Sequence, residues 1–357
     1  MSTTTARRGH EKSGSIEDHL GPGDRRFFGE GFKRGVHRIR EIAAEYDAEG
    51  AGHITGRASV AYPADWSRKG DTDQRPHLST VDILVLGVRL TETYLAHARG
   101  LDAGQCAGSW LRRVRIRAGS APVEEELADF GVRAHAAEVR PSPDAADRLV
   151  TAMDCRIGTL TARIEIDHPA GRAPGAPFAG PLADLRGEDG QGPFGAGYKH
   201  RSQRIEDVSV SPGEGEGEGK GEYAACPVAR ARVRLVSRSA EAAATAAGHG
   251  IEGRRQPALS LIDSFVVGLQ LGQVLLYRLD GGSRAESGTL WMRTAVLEAH
   301  GPPPPLVDGR AVDAAAHLAD SALLRTSSGD VWRRADVVGT LGGLRLRCSV
   351  AHRLPRT

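Results

Sequence analysis

A chain of 357 residues with a formal charge of only +2 has room for two cores and lacks the strong positive field on which nucleic-acid and membrane-surface binders lean. Its four cysteines, Cys106, Cys155, Cys226 and Cys348, show no CxxC spacing, so neither a metal site nor a redox pair is signalled and a reducing cytoplasm is the expected compartment. Met1 to Ser15 lack the apolar region of a signal peptide, and no apolar run approaches bilayer-spanning length.

In chain order, residues 1–16 are polar and small, and read as a disordered tail. The block Phe28-Gly29-x-Gly31-Phe32-Lys33 follows, with Arg38-Ile39 behind it. The spacing predicts a helix from Ser79 to about His97, apolar on nearly every side through Val81, Ile83, Leu84, Val85 and Leu86. Trp110, Val114 and Ile116 alternate with arginines, and Leu160, Ala162, Ile164 and Ile166 alternate with polar residues, as antiparallel strands with one wet face do. Residues 168–192, rich in Pro, Gly and Ala, read as a linker. Phe194-Gly195-x-Gly197-Tyr198-Lys199 with Arg204-Ile205 repeats the first block. Gly213 to Gly221 alternates Gly with charges and reads as a mobile loop. Alternation over Ala231–Leu235, a second apolar helix from Ser260 to about Leu279, a stiff Pro302–Pro305 connector and alternation over Leu344–Arg347 complete the chain.

The second half therefore repeats the first. Leu78-Ser79-x-x-Asp82 with Gly87, Leu90 and Leu95 recurs as Leu259-Ser260-x-x-Asp263 with Gly268, Leu271 and Leu276, displaced by 181. The same displacement relates Trp110 to Trp291, Arg112 to Arg293, and Gly158-Thr159-Leu160 to Gly339-Thr340-Leu341. The Phe-Gly blocks are displaced by 166. Two copies of one supersecondary unit, over residues 17–167 and 193–357, are expected to pack as a pseudo-dimer of class α+β. Gly87 and Gly268 sit at the same helical position, which suggests a close approach there by a strand, the partner helix or a ligand.

A helix enclosed by an antiparallel sheet, present twice, resembles the double hotdog fold. Asp18-His19-Leu20-Gly21-Pro22, Arg26-Phe27-Phe28-Gly29-x-Gly31-Phe32-Lys33 and Gly192-Pro193-Phe194-Gly195-x-Gly197-Tyr198-Lys199 resemble the avirulence D (AvrD) family over nearly the whole chain, apart from the tail and the Gly/Glu loop. That resemblance implies a biosynthetic role. The family is linked to syringolides, built from a β-ketoacyl chain and a pentulose. The chemistry parallels A-factor-type butyrolactone synthases, which join a β-ketoacyl thioester to a hydroxyketone phosphate. The implied partners are an acyl carrier protein or coenzyme A thioester and a sugar-like small molecule, with no cofactor, no nucleic acid and no membrane; a homodimer is compatible with this.

The residues themselves offer a site at the first helix N-terminus. Ser79 and Thr80 open the helix as substrate-binding candidates, where the free backbone N–H groups of Thr80 and Val81 could hold an oxyanion, and His77 just before them could act as base; the alternative is an ordinary loop histidine. Copy two has Ala258 in its place, so at most one site uses a histidine. Asp82 and Asp263 suit acid–base or orienting roles, but Ser-x-x-Asp is also capping-box spacing. Arg89 and Glu92, with Gln270 and Gln273 on the second helix, form either a hydroxyl-reading wall or a wet seam between copies. Lys33 and Lys199 are anion contacts or structural members of the Phe-Gly blocks. No GxSxG, HExxH, kinase or dinucleotide signature is present. Three readings follow: an enzyme condensing a β-ketoacyl thioester with a hydroxyketone, a hotdog dehydratase or thioesterase on acyl carriers, and a non-catalytic binder of a lipid-like molecule.

Overall fold

The structure, a computed structural model, describes residues 14–119, 123–183, 190–212, 226–241, 244, 247–287, 290–303, 305–306, 309–327 and 329–355. The loop expected at Gly213–Gly221 and residues 1–13 of the expected tail lie outside them.

Each copy is built around one capped helix. In α2 (Thr80–Ala98), the Ser79 hydroxyl accepts the Asp82 N–H at 3.2 Å, and the Asp82 carboxylate accepts the Ser79 N–H at 2.7 Å. The same reciprocal pair, Ser260 and Asp263, opens the second long helix, Leu261–Leu279, here α4. The cap fixes where each helix starts by satisfying orphan backbone donors. Short helices α1 (Ile16–Leu20) and α3 (Ala103–Ala107) flank them.

Strands β1 (Val36–Tyr46), β2 (Gly52–Ala61), β5 (Trp110–Arg117), β6 (Phe130–Pro141), β7 (Arg148–Ile157) and β8 (Leu160–Pro169) surround α2. The two-residue strands β3 (Arg68–Lys69) and β4 (Thr72–Asp73) form a separate hairpin. Strands β10 (Arg201–Ser211), β11 (Val228–Ser237), β12 (Trp291–Ala299), β13 (Val312–Arg325), β14 (Val331–Leu341) and β15 (Leu344–Arg353) surround α4. With β9 (Phe178–Pro181) they form one 13-stranded antiparallel sheet, ordered β10-β11-β13-β14-β15-β12-β5-β8-β7-β6-β2-β1-β9. The order reads alike from the centre outward in both directions. At the centre, Arg115 faces Val296, its own counterpart at a displacement of 181, so a pseudo-twofold axis passes between β5 and β12. The fold is α+β, a double hotdog.

The glycines that the two copies share serve close packing of helix on sheet. A Cβ on Gly87 would lie 2.5 Å from Cδ1 of Ile164 on β8, and one on Gly268 would lie 2.5 Å from Cδ2 of Leu346 on β15. The segments before each first strand cross to the other copy. Phe28 packs edge-on against Phe265 of α4 at 5.8 Å, and Phe32 stacks on its counterpart Tyr198 at 6.1 Å.

Three expectations are corrected. The tail ends earlier than residue 16, because Gly14 bridges to Val208 and Ile16 is buried in α1. Residues 168–192 are not only linker. β8 extends to Pro169, and β9 pairs with β1 from Ala43–Pro181 to Tyr46–Phe178. The Gly-Thr-Leu match is not structural. Gly158 and Thr159 form the turn between β7 and β8, whereas Gly339 and Thr340 lie inside β14, ahead of the turn at Gly342 and Gly343. Leu160 and Leu344 open equivalent strands at a displacement of 184, so the second copy carries three extra residues before its last hairpin.

Candidate active site

The N-terminus of α2 opens into a cleft of about 230 Å³ walled by both copies. The first copy contributes Phe27, Phe28, Trp66 and Leu78; the second contributes Tyr277 from α4 and Trp291 and Met292 from β12. The loop carrying His77 is held from both ends: Trp66 Nε1 donates to the Gln74 carbonyl at 2.7 Å, and the Leu78 N–H donates to Val123 at 2.9 Å.

His77, Ser79 and Thr80 meet in this cleft. His77 stands edge-on to Trp66 at 5.2 Å, with Nδ1 3.2 Å from the Arg75 carbonyl. A carbonyl only accepts, so Nδ1 carries the proton, and a neutral ring keeps its lone pair on Nε2. The capping box takes up the Ser79 and Asp82 N–H groups and the Ile83 N–H goes to the Ser79 carbonyl. Thr80 and Val81 carry the remaining donors of the first turn, at the positive end of the helix dipole.

Asp82 lies behind this helix end, with no exposed surface. His37 Nε2 is 2.7 Å from its Oδ1, and the Tyr62 hydroxyl donates to the same oxygen at 2.8 Å. Burial alone would raise the Asp82 carboxyl; hydrogen bonds and charge from His37 and the Ser79 contacts outweigh it and hold the group below its usual range. Burial and the neighbouring Asp82 push the Tyr62 phenol well up, so it stays a donor. Asp82 can orient the helix end but does not reach the cleft.

The equivalent end of α4 is filled. Ile251 and Glu252 are each 1% exposed and press against the first copy. Glu252 accepts the N–H of Leu111, the counterpart of Met292, at 3.1 Å. Glu92, the counterpart of Gln273, accepts the Ile251 N–H at 3.1 Å. Burial raises the Glu92 carboxyl and pushes Glu252 up to about 8. Arg201 donates to Asp263 at 2.6 Å and to Ser260 at 2.6 Å, and Gln203 donates to Asp263 at 2.8 Å. The two pseudo-sites have thus diverged into one open and one closed.

The other expected site residues lie elsewhere. Lys33 is buried and paired with Glu30 at 2.9 Å; Lys199 donates to the Gly35 carbonyl. Arg89 lies by the His37 carbonyl, with Gly190 against its guanidinium. None of these, nor Glu92, Asp82 or Asp263, lines the cleft. Gln270 does not line the cleft but meets its wall through Arg26, whose Nη1 donates to it at 2.5 Å. Gln273 does line the cleft, and donates to the Tyr277 hydroxyl at 3.3 Å.

Sequence reasoning missed the cations on the wall, Arg26, Lys69 and Arg284, and the His37–Tyr62 pair behind Asp82. Arg26 opens the quoted Arg-Phe-Phe-Gly motif. His37 and Gln203 differ at a displacement of 166, so comparison of the copies could have marked His37. Lys69 and Arg284 sit in unlike loops without a local signal. Among the described residues, no group of three or more His, Cys, Asp or Glu converges as a metal site, and no helix is long and apolar enough to cross a membrane.

A family model for the Pseudomonas avirulence D protein (AvrD) matches residues 11–355. Among solved structures, the chain is similar to the tesB protein of Mycobacterium avium subspecies paratuberculosis, at 10% identity, covering 87% of this chain and 96% of that one with a TM-score of 0.36. It is also similar to a protein described as an oleoyl thioesterase from Lactobacillus plantarum, at 8% identity, 87% and 100% coverage and a TM-score of 0.40. A third is the acyl-CoA thioesterase II TesB2 of Mycobacterium marinum, at 10% identity, 85% and 92% coverage and a TM-score of 0.30. No curated protein sequence matches the chain significantly.

Proposed function

The chain belongs to the avirulence D (AvrD) family, and from that premise we propose that its open cleft transfers a β-ketoacyl group from a thioester to a hydroxyl of a ketose-like hydroxyketone. The reading is carried by His77: its Nδ1 proton is spent on the Arg75 carbonyl, leaving Nε2 as a base at an open helix N-terminus.

The thioester carbonyl lies against the first turn of α2. There the N–H groups of Thr80 and Val81, backed by the helix dipole, stabilise the oxyanion. His77 Nε2 takes the proton of the attacking hydroxyl. A C–O bond forms, the C–S bond breaks, and the proton passes to the departing thiolate. The acyl tail lies along the apolar wall of Phe27, Phe28, Leu290 and Met292, and Gln273, on the same wall, binds a hydroxyl. Ser79 and Asp82 hold the helix end in register. An acyl carrier protein or coenzyme A brings the acyl group. The step is redox-neutral and calls on no cofactor.

The test is thiol release from a β-ketoacyl N-acetylcysteamine thioester, with and without dihydroxyacetone, with products weighed by mass spectrometry. Release that depends on the hydroxyketone, with a product of their combined mass less the thiol, is expected. Equal release without it makes the protein a thioesterase; a dehydrated product from a β-hydroxyacyl thioester makes it a dehydratase. Saturable binding without any product makes it a binder.

A further inference from the structure

The cleft carries charge that acyl transfer does not use. Arg26, Lys69, Arg75 and Arg284 line it, against one carboxylate, Glu124. Glu124 is taken by Arg75 at 3.0 Å. Three further cations, Arg26, Lys69 and Arg284, thus share the wall of one cleft.

They are also held together. The Arg284 guanidinium donates to the carbonyl of Arg68 at 2.6 Å and to that of Arg25 at 3.4 Å, the residues next to Lys69 and Arg26. Arg26 is only 3% exposed. Its Nη1 is met by the neutral Gln270 amide, and its Nε has no hydrogen-bond partner. A buried guanidinium with a spare donor is costly unless an anion completes it. Burial, with repulsion from Arg284, lowers Lys69 to about 8, and lowers Arg26 to about 10 against the weaker attraction of Glu17, Asp24 and Glu30. Like charges gathered against such a cost mark a place built for a multiply charged anion.

We propose that Arg26, Lys69 and Arg284 form a subsite for a substrate phosphate group inside the cleft. A phosphate offers several acceptor oxygens and up to two negative charges, which suits two guanidinium forks and one ammonium. The closed pseudo-site has lost this equipment: the counterparts of Arg26 and Arg284 are Gly192 and Ala103. The phosphate belongs either to the hydroxyketone, as a phosphate monoester, or to the pantetheine arm of the thioester. The proposal rests on the cleft being a substrate site but not on acyl transfer, and binding tests it without turnover.

The experiment is calorimetric titration of the full chain with dihydroxyacetone phosphate and with 4′-phosphopantetheine, each against its dephosphorylated form. Lys69→Gln and Arg284→Gln are titrated in parallel, with melting temperatures checking that they fold; Arg26 and its partner Gln270 are left intact. At least one phosphorylated probe should bind about tenfold or more tighter than its dephosphorylated form, and the variants should lose that preference. Preference for the ketone phosphate places the phosphate on the hydroxyketone; preference for phosphopantetheine places it on the thioester arm. Equal binding of phosphorylated and dephosphorylated probes, or a preference unchanged in both variants, overturns the subsite.

Discussion

His37 and Gln203 do the same work on equivalent aspartates: His37 Nε2 is 2.7 Å from Asp82 Oδ1, and Gln203 Nε2 donates to Asp263 Oδ1 at 2.8 Å. The second contacts have diverged. Asp82 takes the Tyr62 hydroxyl, whereas Asp263 takes the Arg201 guanidinium, in a pair whose aspartate is fully buried. Replacing Asp263 with Asn strands the Arg201 charge, and breaking a buried pair costs about 3–5 kcal/mol. Asp82→Asn keeps a carbonyl for His37 and Tyr62 and strands no guanidinium, but it loses the cap to the Ser79 N–H, about 1 kcal/mol, together with the attraction to His37. Urea unfolding should rank Asp263→Asn as clearly the more damaging. The reverse order would mean that Asp82 and His37 form the stronger ionic pair.

Gly35 makes room for Tyr62. A Cβ there would lie 2.8 Å from the ring Cζ, and the ring cannot retreat because Trp66 packs on it at 4.4 Å. Gly35→Ala should cost about 1–3 kcal/mol through overpacking. It should also pull the Tyr62 hydroxyl off Asp82 and lower activity. In a Tyr62→Ala background the same substitution should cost little. A double-mutant cycle by thermal unfolding checks this, and additive penalties would show that Gly35 is needed for some other reason.

His77 makes one weak hydrogen bond within its own loop, stands edge-on to Trp66 and is half-buried. His77→Ala should abolish turnover while leaving the melting temperature nearly unchanged, since a partly exposed side chain away from the core contributes little to stability. Turnover assays beside thermal melts decide it; full activity in the variant would end its role as base.

Much of the fold was legible because its signals are local and occur twice. The Ser-x-x-Asp caps, the all-apolar helices and the alternating strands each follow from a few neighbouring residues, and the repeat displacement implied the pseudo-twofold that the Arg115–Val296 register makes visible. The same displacement misled at Gly339. The tripeptide recurs by coincidence inside β14, while the true turn uses Gly342 and Gly343, both with positive φ. The site was half legible. His77, Ser79 and Thr80 sit on the cap and could be read from it. Arg26, Lys69 and Arg284 come from three distant segments that only the crossing of the copies brings together. Lys33 and Lys199 drew attention instead because they sit in a repeated block. The repeat is where they are used: each stays with backbone or carboxylate partners near the Phe32–Tyr198 stack.

Glu252 seals the second pseudo-site at a cost that pH should reveal. Its ordinary value is 4.5, and burial pushes it up to about 8 in the folded protein. Between those values the unfolded chain has released the proton and the folded chain still holds it, so the folded state binds more protons and stability falls as pH rises. The loss is absent below the ordinary value, accumulates through the window and levels off above about 8. Each unit within it costs about 1.4 kcal/mol. Glu252→Gln cannot ionise, yet keeps a carbonyl for the Leu111 N–H. The unfolding free energy from urea titrations should therefore fall between pH 6 and pH 8 by on the order of 2 kcal/mol more for the unaltered protein than for the variant. Equal slopes in the two proteins would mean that Glu252 is ionised when folded, with Arg201 and Arg255 compensating its burial, and the plug would then be an ionic rather than a neutral one.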